Sequence, residues 1–349
     1  MTNHARRPTL DLLRIVAAHL IVWHHFALYS GMADAAWDLA PRLFRFLCDD
    51  ARKAVQVFLV LAGFLVAKVC MPGGGSIDSA GSWGRAVGRR FMRLAPMLWF
   101  VLALVVLIDA TMGPDGGESR ASWAVQLWRV AMHALMLQDV LGVPSLSPGL
   151  WYVPIDLQLF ALAALLAWRG RGWSARVGAW VVAAAVIASA WVFNRDASWD
   201  AWAPYFACAY GLGMLAWCVG ERRAGATAAM TVATIGVLAA LAFDFRDRLL
   251  LALVLSWALV LWQRTSTPPT TSERASPVRR ALAAHADAAY ALFLLHDPVR
   301  RVVEALWSRA AAAEPHVQAT GLGMAWVASV VIAHAASRLF EQRRSIRSP

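Results

Sequence analysis

The chain has 349 residues, which by length alone leaves room for about two or three soluble domains. Yet 59% of those residues are hydrophobic and only 16% charged, with a mean hydropathy of +0.52. Soluble domains run at roughly a quarter charged and disordered chains lack apolar residues, so both are excluded. What remains is an all-α, polytopic membrane protein, because long unbroken apolar runs lack the alternation that a membrane barrel needs.

The net charge of +11 and the 18 tryptophans have one common explanation. Cytoplasmic loops of membrane proteins collect Arg and Lys, and Trp gathers at the two interfaces; the arginines are dispersed, without the aromatic interleaving of a nucleic-acid surface. Cys48, Cys70, Cys208 and Cys218 lie far apart, so neither a disulfide framework nor a metal site is expected.

A bilayer span needs about 20 predominantly apolar residues, and ten stretches qualify: 12–30, 54–71, 92–112, 149–168, 173–193, 201–219, 226–243, 249–263, 288–308 and 319–338. The first follows a basic N-terminus without a clean cleavage site and reads as a retained helix rather than a signal peptide. With a cytoplasmic N-terminus, about 21 of the 33 Lys and Arg fall on inner segments, so both termini are expected in the cytoplasm of a bacterium, with the chain in its inner membrane. The outer loop 113–148, with Trp123 and Trp128, is expected to lie along the membrane surface. Residues 264–287, rich in Pro and Thr, read as a cytoplasmic linker before the last two spans within one membrane domain, 1–349.

Ionisable groups at membrane depth are costly and mark candidate sites. In the first span Arg14 and His25 are eleven residues apart, so they share one helix face about 16 Å apart, with His24 turned about 80° and His19 about 140° from that line. Snorkelling of Arg14 and a helix–helix hydrogen bond of His25 are the competing readings. The third span opens RAVGRRFMRLAP: Arg85, Arg89 and Arg93 form one stripe and Arg90 pairs with Arg93 at i+3. That surface suits phosphate, since guanidinium binds it bidentately, although a positive-inside cluster without a ligand looks the same. The fourth span, WYVPIDLQLF, places Asp156 between Pro154 and Gln158, with Trp151 and Tyr152 at its start. A lone carboxylate there seeks a partner, and His25 matches it chemically. The ninth span, YALFLLHDPVRR, suggests a helix broken at Pro298, with His296 and Asp297 lining a cavity; an ordinary interfacial end of a short helix is the equal competing reading. Tyr152, Gln158, His24 and His296 are the further candidates for cavity walls.

Taken in order, Arg-x10-His, VFLVLAGFLVAK, RRFMRLAP, WYVPIDLQLF and YALFLLHDPV resemble acyltransferase family 3, the integral membrane acyltransferases, over nearly the whole chain. Two positions depart from that family's usual pattern: Ala62 stands where Ser often precedes Gly63-Phe64, and Asp156 where Glu is common. Some relatives add an extracytoplasmic esterase-like domain, which is not expected before Pro349.

The resemblance implies transfer of an acyl group, commonly acetyl, from cytoplasmic acyl-CoA to a hydroxyl of a sugar-containing acceptor. Acyl-CoA enters as co-substrate, with no bound cofactor and no metal. Arg14, Arg90 and Arg93 would hold its phosphates. His25 would be the general base, oriented by Asp156 or His296, or would itself be acylated; no oxyanion site is legible. The alternative is a proton-coupled transporter of an anionic metabolite that uses the same arginines, His and Asp.

Overall fold

The structure, a computed structural model, describes residues 8–71, 80–113, 122–265 and 276–346. Among these residues there are helices and no strands: α1 (Pro8–Tyr29), α2 (Gly31–Ala36), α3 (Pro41–Asp49), α4 (Val55–Cys70), α5 (Ala80–Met112), α6 (Trp123–Ala134), α7 (Tyr152–Arg169), α8 (Ala175–Trp191), α9 (Ala203–Gly220), α10 (Ala226–Phe243), α11 (Asp247–Thr265), α12 (Pro277–Ala310) and α13 (Pro315–Ile346). Each of the ten expected spans falls on one of them. Nine are long and apolar enough to cross a bilayer; α12, with its charged middle, is not among them. This is a multi-pass membrane protein. Its local signals are those of ordinary helices: Ser174 caps α8 by accepting from the Val177 amide, and proline opens α9 and α12, where a missing N–H costs nothing.

The chain divides into two compact units. The first comprises 1–54, 95–150 and 269–349. In it α12 packs against α13 and α1, and α2 and α3 pack on α13 and α1. The second comprises 55–94 and 151–268 and is built around α9, which touches α4, α7, α8, α10 and α11. Glycine makes that centre possible. A Cβ on Gly63 would lie 1.9 Å from the Tyr210 carbonyl oxygen, and one on Gly213 would lie 2.0 Å from that of Val60, so the α4 and α9 backbones touch directly.

Two expectations are corrected. Helix α12 runs unbroken through Pro298. The polar residues around it bond to one another, Ser147 and Arg300 to Asp297 and Arg300 to Glu304. The expected linker 264–287 is shorter: α11 continues to Thr265 and α12 starts at Pro277, while 266–275 lie outside the described residues. Between α5 and α7, α6 exposes Trp123, Leu127 and Trp128.

Candidate active site

In the first unit, His25 is buried on α1 and its Nδ1 lies 2.7 Å from Nε2 of His296 on α12, the two rings stacked. The other nitrogen of His296, Nδ1, bonds the carbonyl oxygens of Phe293 at 2.8 Å and Leu292 at 3.3 Å. A carbonyl only accepts, so in the neutral pair His296 Nδ1 carries the proton and its Nε2 is the acceptor. His25 Nδ1–H must then be the donor, which leaves the lone pair on His25 Nε2. The backbone of α12 thus fixes the tautomers of both imidazoles in one direction.

Directly behind His296 lies a charge network that sequence reasoning missed as a site. Arg300, 1% exposed, donates from Nε and Nη2 to Asp297 Oδ1 and from Nη1 to Glu304 Oε2. Ser147 donates to Asp297 Oδ2 at 2.9 Å, and the Met32 amide donates to Glu304 Oε1. Arg301 bonds Asp109 and the Gly113 carbonyl. The signal was present: Asp297, Arg300, Arg301 and Glu304 stand at i, i+3, i+4 and i+7, one face of a helix. On that face Arg300 pairs within the helix with Asp297 and Glu304, across the turn that contains Pro298.

The remaining histidines of α1 have other tasks. His24 bonds the Leu47 carbonyl at 2.9 Å, tying α3 to α1. His19 accepts from Trp326 Nε1–H and meets His285, which meets His334. Arg14 is half-buried, with Asp11 3.7 Å away one turn earlier. His133 on α6 donates from Nδ1 to the Arg129 carbonyl and accepts the Leu146 amide on Nε2. Burial pushes its pKa down, with the Arg129 carbonyl opposing and the Arg129 charge assisting.

In the second unit, Asp156 on α7 bonds Arg90 on α5, whose Nε and Nη2 fork onto both carboxylate oxygens at 2.7–3.0 Å. Arg90 also lies over the Phe160 ring. The single guanidinium surface expected on α5 is therefore divided: Arg85, Arg89 and Arg93 are exposed, whereas Arg90, about 100° off that stripe, turns inward. Gln158 engages both ends of its amide, accepting from the Ala203 N–H and donating to the Ala201 carbonyl, and so fixes the start of α9. Tyr152 packs on Phe58 and Trp151 on Phe206. Of the predicted residues, the structure thus joins His25 to His296 and Arg90 to Asp156. Among the described residues no group of His, Cys, Asp and Glu is arranged to hold a metal ion.

Comparison with known proteins adds to this geometry. A family model described as an acyltransferase domain matches residues 7–337. The chain belongs to acyltransferase family 3. It is 27% identical over 179 residues to the "Regulator of hypoxia-inducible factor 1" of Caenorhabditis elegans, a match covering 46% of this chain and 34% of the nematode protein. It is 23% identical over 172 residues to the peptidoglycan O-acetyltransferase OatA of Listeria monocytogenes, covering 46% of this chain and 24% of that protein. The chain thus spans only about a third and about a quarter of the length of these relatives. No solved structure matches the chain.

Proposed function

We propose that this family member is a membrane-bound O-acyltransferase that moves an acyl group, acetyl in the first instance, from cytoplasmic acyl-CoA to a hydroxyl of a sugar-containing envelope acceptor. The observation that carries the reading is the one-way imidazole pair. A base for an alcohol must present a lone pair, and the hydrogen-bond order from Phe293 through His296 leaves one on His25 Nε2. Peptidoglycan O-acetylation, the activity named for the Listeria relative, supports a glycan hydroxyl as acceptor.

In the proposed reaction His25 Nε2 takes the acceptor's hydroxyl proton as its oxygen bonds the thioester carbon. The tetrahedral intermediate collapses with loss of the thiolate, and His25 returns the proton to sulfur. One ester and one thiol result, with no change of oxidation state. Through its neutral Nε2, His296 holds the His25 Nδ1 proton in both states and stabilises the imidazolium between them, the part an orienting group plays in triad logic. Asp156 is assigned to Arg90 rather than to His25, as a positioning residue. Arg93 and Arg14 are the cations proposed for the phosphates of the donor. The enzyme would sit in a bacterial inner membrane with both termini in the cytoplasm.

Radiolabelled acetyl-CoA incubated with purified protein and extracted envelope glycans tests this. Label is expected in the glycan, and His25→Ala should abolish it while the protein remains folded. Uptake into vesicles without transfer would overturn the reading in favour of transport.

A further inference from the structure

Among the described residues of the second unit, two buried side-chain polar atoms have no hydrogen-bond partner, Gln263 Oε1 and Tyr210 Oη, and the second lies beside a charged pair. Tyr210 on α9 is 3% exposed, and its hydroxyl makes no hydrogen bond. A buried hydroxyl left unsatisfied forfeits the hydrogen bonds it would make in water, so its retention needs a reason. Three features say where it serves. The charges of Asp156 and Arg90 reach it, with Tyr152 and Cys70 in the same neighbourhood. Its main chain is clamped, because the Gly63 position has no room even for a Cβ against the Tyr210 carbonyl; this gives a physical role to the Gly63-Phe64 step of the second-span motif. And Arg90, held by Asp156 through Nε and Nη2, has Nη1 left over as a further donor.

The charge of this cluster decides its ligand. Arg90 and Asp156 together are neutral, so a phosphate brought to Arg90 would meet the Asp156 carboxylate within a few ångströms and be repelled. Two donors, a phenolic O–H and a guanidinium N–H, beside a neutralised ion pair suit an uncharged oxygen acceptor. We infer that Tyr210 Oη and Arg90 Nη1 bind a carbonyl oxygen on the pantetheine arm of the donor, thioester or amide, and that the donor's phosphates are bound elsewhere. The inference rests on the acyl-CoA reading above and divides the arginines of α5 into two tasks: Arg90 reads the arm, and the exposed stripe faces the anion.

Tyr210→Phe removes one oxygen and keeps the ring. Binding of acetyl-CoA, CoA and adenosine 3′,5′-bisphosphate, the half without the arm, is measured by calorimetry on full-length detergent-solubilised protein, alongside thermal melting. Losing one hydrogen bond should weaken acetyl-CoA roughly five- to tenfold and leave the bisphosphate unchanged. A loss shared by CoA assigns the amides, and a loss confined to acetyl-CoA assigns the thioester; both support the site. The ligand-free variant should melt at or above the wild-type temperature, since a group without a partner has been removed. Unchanged acetyl-CoA binding, an equal loss for the bisphosphate, or a melt several degrees lower would each overturn the inference. Wild-type protein that binds none of the three would instead overturn the acyl-CoA reading first, an outcome separable from the others.

Discussion

Replacing His296 by leucine tests the imidazole pair most directly. Leucine fills a similar volume in a position that is fully buried, yet offers no lone pair to His25 Nδ1–H, so both the tautomer and the imidazolium lose their support. A hydrogen bond to a charged group is worth about 1.5–3 kcal/mol, and 1.36 kcal/mol is tenfold in rate. Turnover should therefore fall roughly 10- to 150-fold. Because the bond strengthens only as His25 becomes charged, the loss should appear in kcat with KM for the donor unchanged. Glutamine at 296 provides an amide oxygen able to accept the same proton, so it should retain turnover within about fivefold of wild type. The assay is steady-state transfer of labelled acetyl groups, normalised to folded protein. Wild-type turnover in the leucine variant, or equal impairment by glutamine and leucine, would refute the reasoning.

Three further outcomes are expected. Gly63→Ala forces a Cβ against the Tyr210 carbonyl and should destabilise the protein by about 2 kcal/mol or more in thermal melts, whereas Gly88→Ala on α5, where a Cβ meets nothing, should be neutral or stabilising by about 0.5 kcal/mol. Asp156→Ala strands Arg90, and since Arg90 keeps 23% side-chain exposure the cost should be about 2–3 kcal/mol, below that of a fully buried pair; Asp156→Glu should recover most of it, and a double-mutant cycle with Arg90→Ala should show the coupling. His133 gives a pH dependence. Its folded pKa lies below the unfolded value of 6.5, so the unfolded state binds the extra proton and stability is lost as pH falls below about 6.5, levelling off only under the folded pKa. Hydrogen exchange at the Leu146 amide, corrected for its intrinsic pH dependence, should accelerate from pH 7.5 to pH 5, and His133→Gln should abolish that step.

Hydrophobic length located the nine helices long and apolar enough to cross a bilayer, since about 20 apolar residues have few other uses. Spacing made side-chain partners legible where they lie on one helix, and across helices only chemical complementarity offered candidates, His296 among them. The pairs on the charged face of α12 follow from a 3.6-residue period, whereas Arg90 and Asp156 are 66 residues apart and no spacing rule reaches that far. Chemical complementarity proposed His25 for Asp156, but an arginine also satisfies a carboxylate, and composition does not rank the two. The expected break at Pro298 overweighted one missing N–H against a face of paired charges. Gly63 was legible as a motif and illegible as a contact, because its meaning lies in the carbonyl of Tyr210 on another helix.

The hydrogen-bond chain behind His25 ends on a main-chain oxygen, that of Phe293, and this has a consequence for inheritance. Every amino acid carries that atom, so no codon change at 293 deletes the terminus of the chain. Tolerance to mutation should be graded along its length: none at 25, where the lone pair acts; acceptor-bearing residues at 296; and at 293 any side chain that fits beside Gly149, whose φ of +89° and close contact with the Phe293 ring set a limit of size rather than of chemistry. The base of the proposed reaction is thus anchored on the one part of the polypeptide that sequence drift leaves in place.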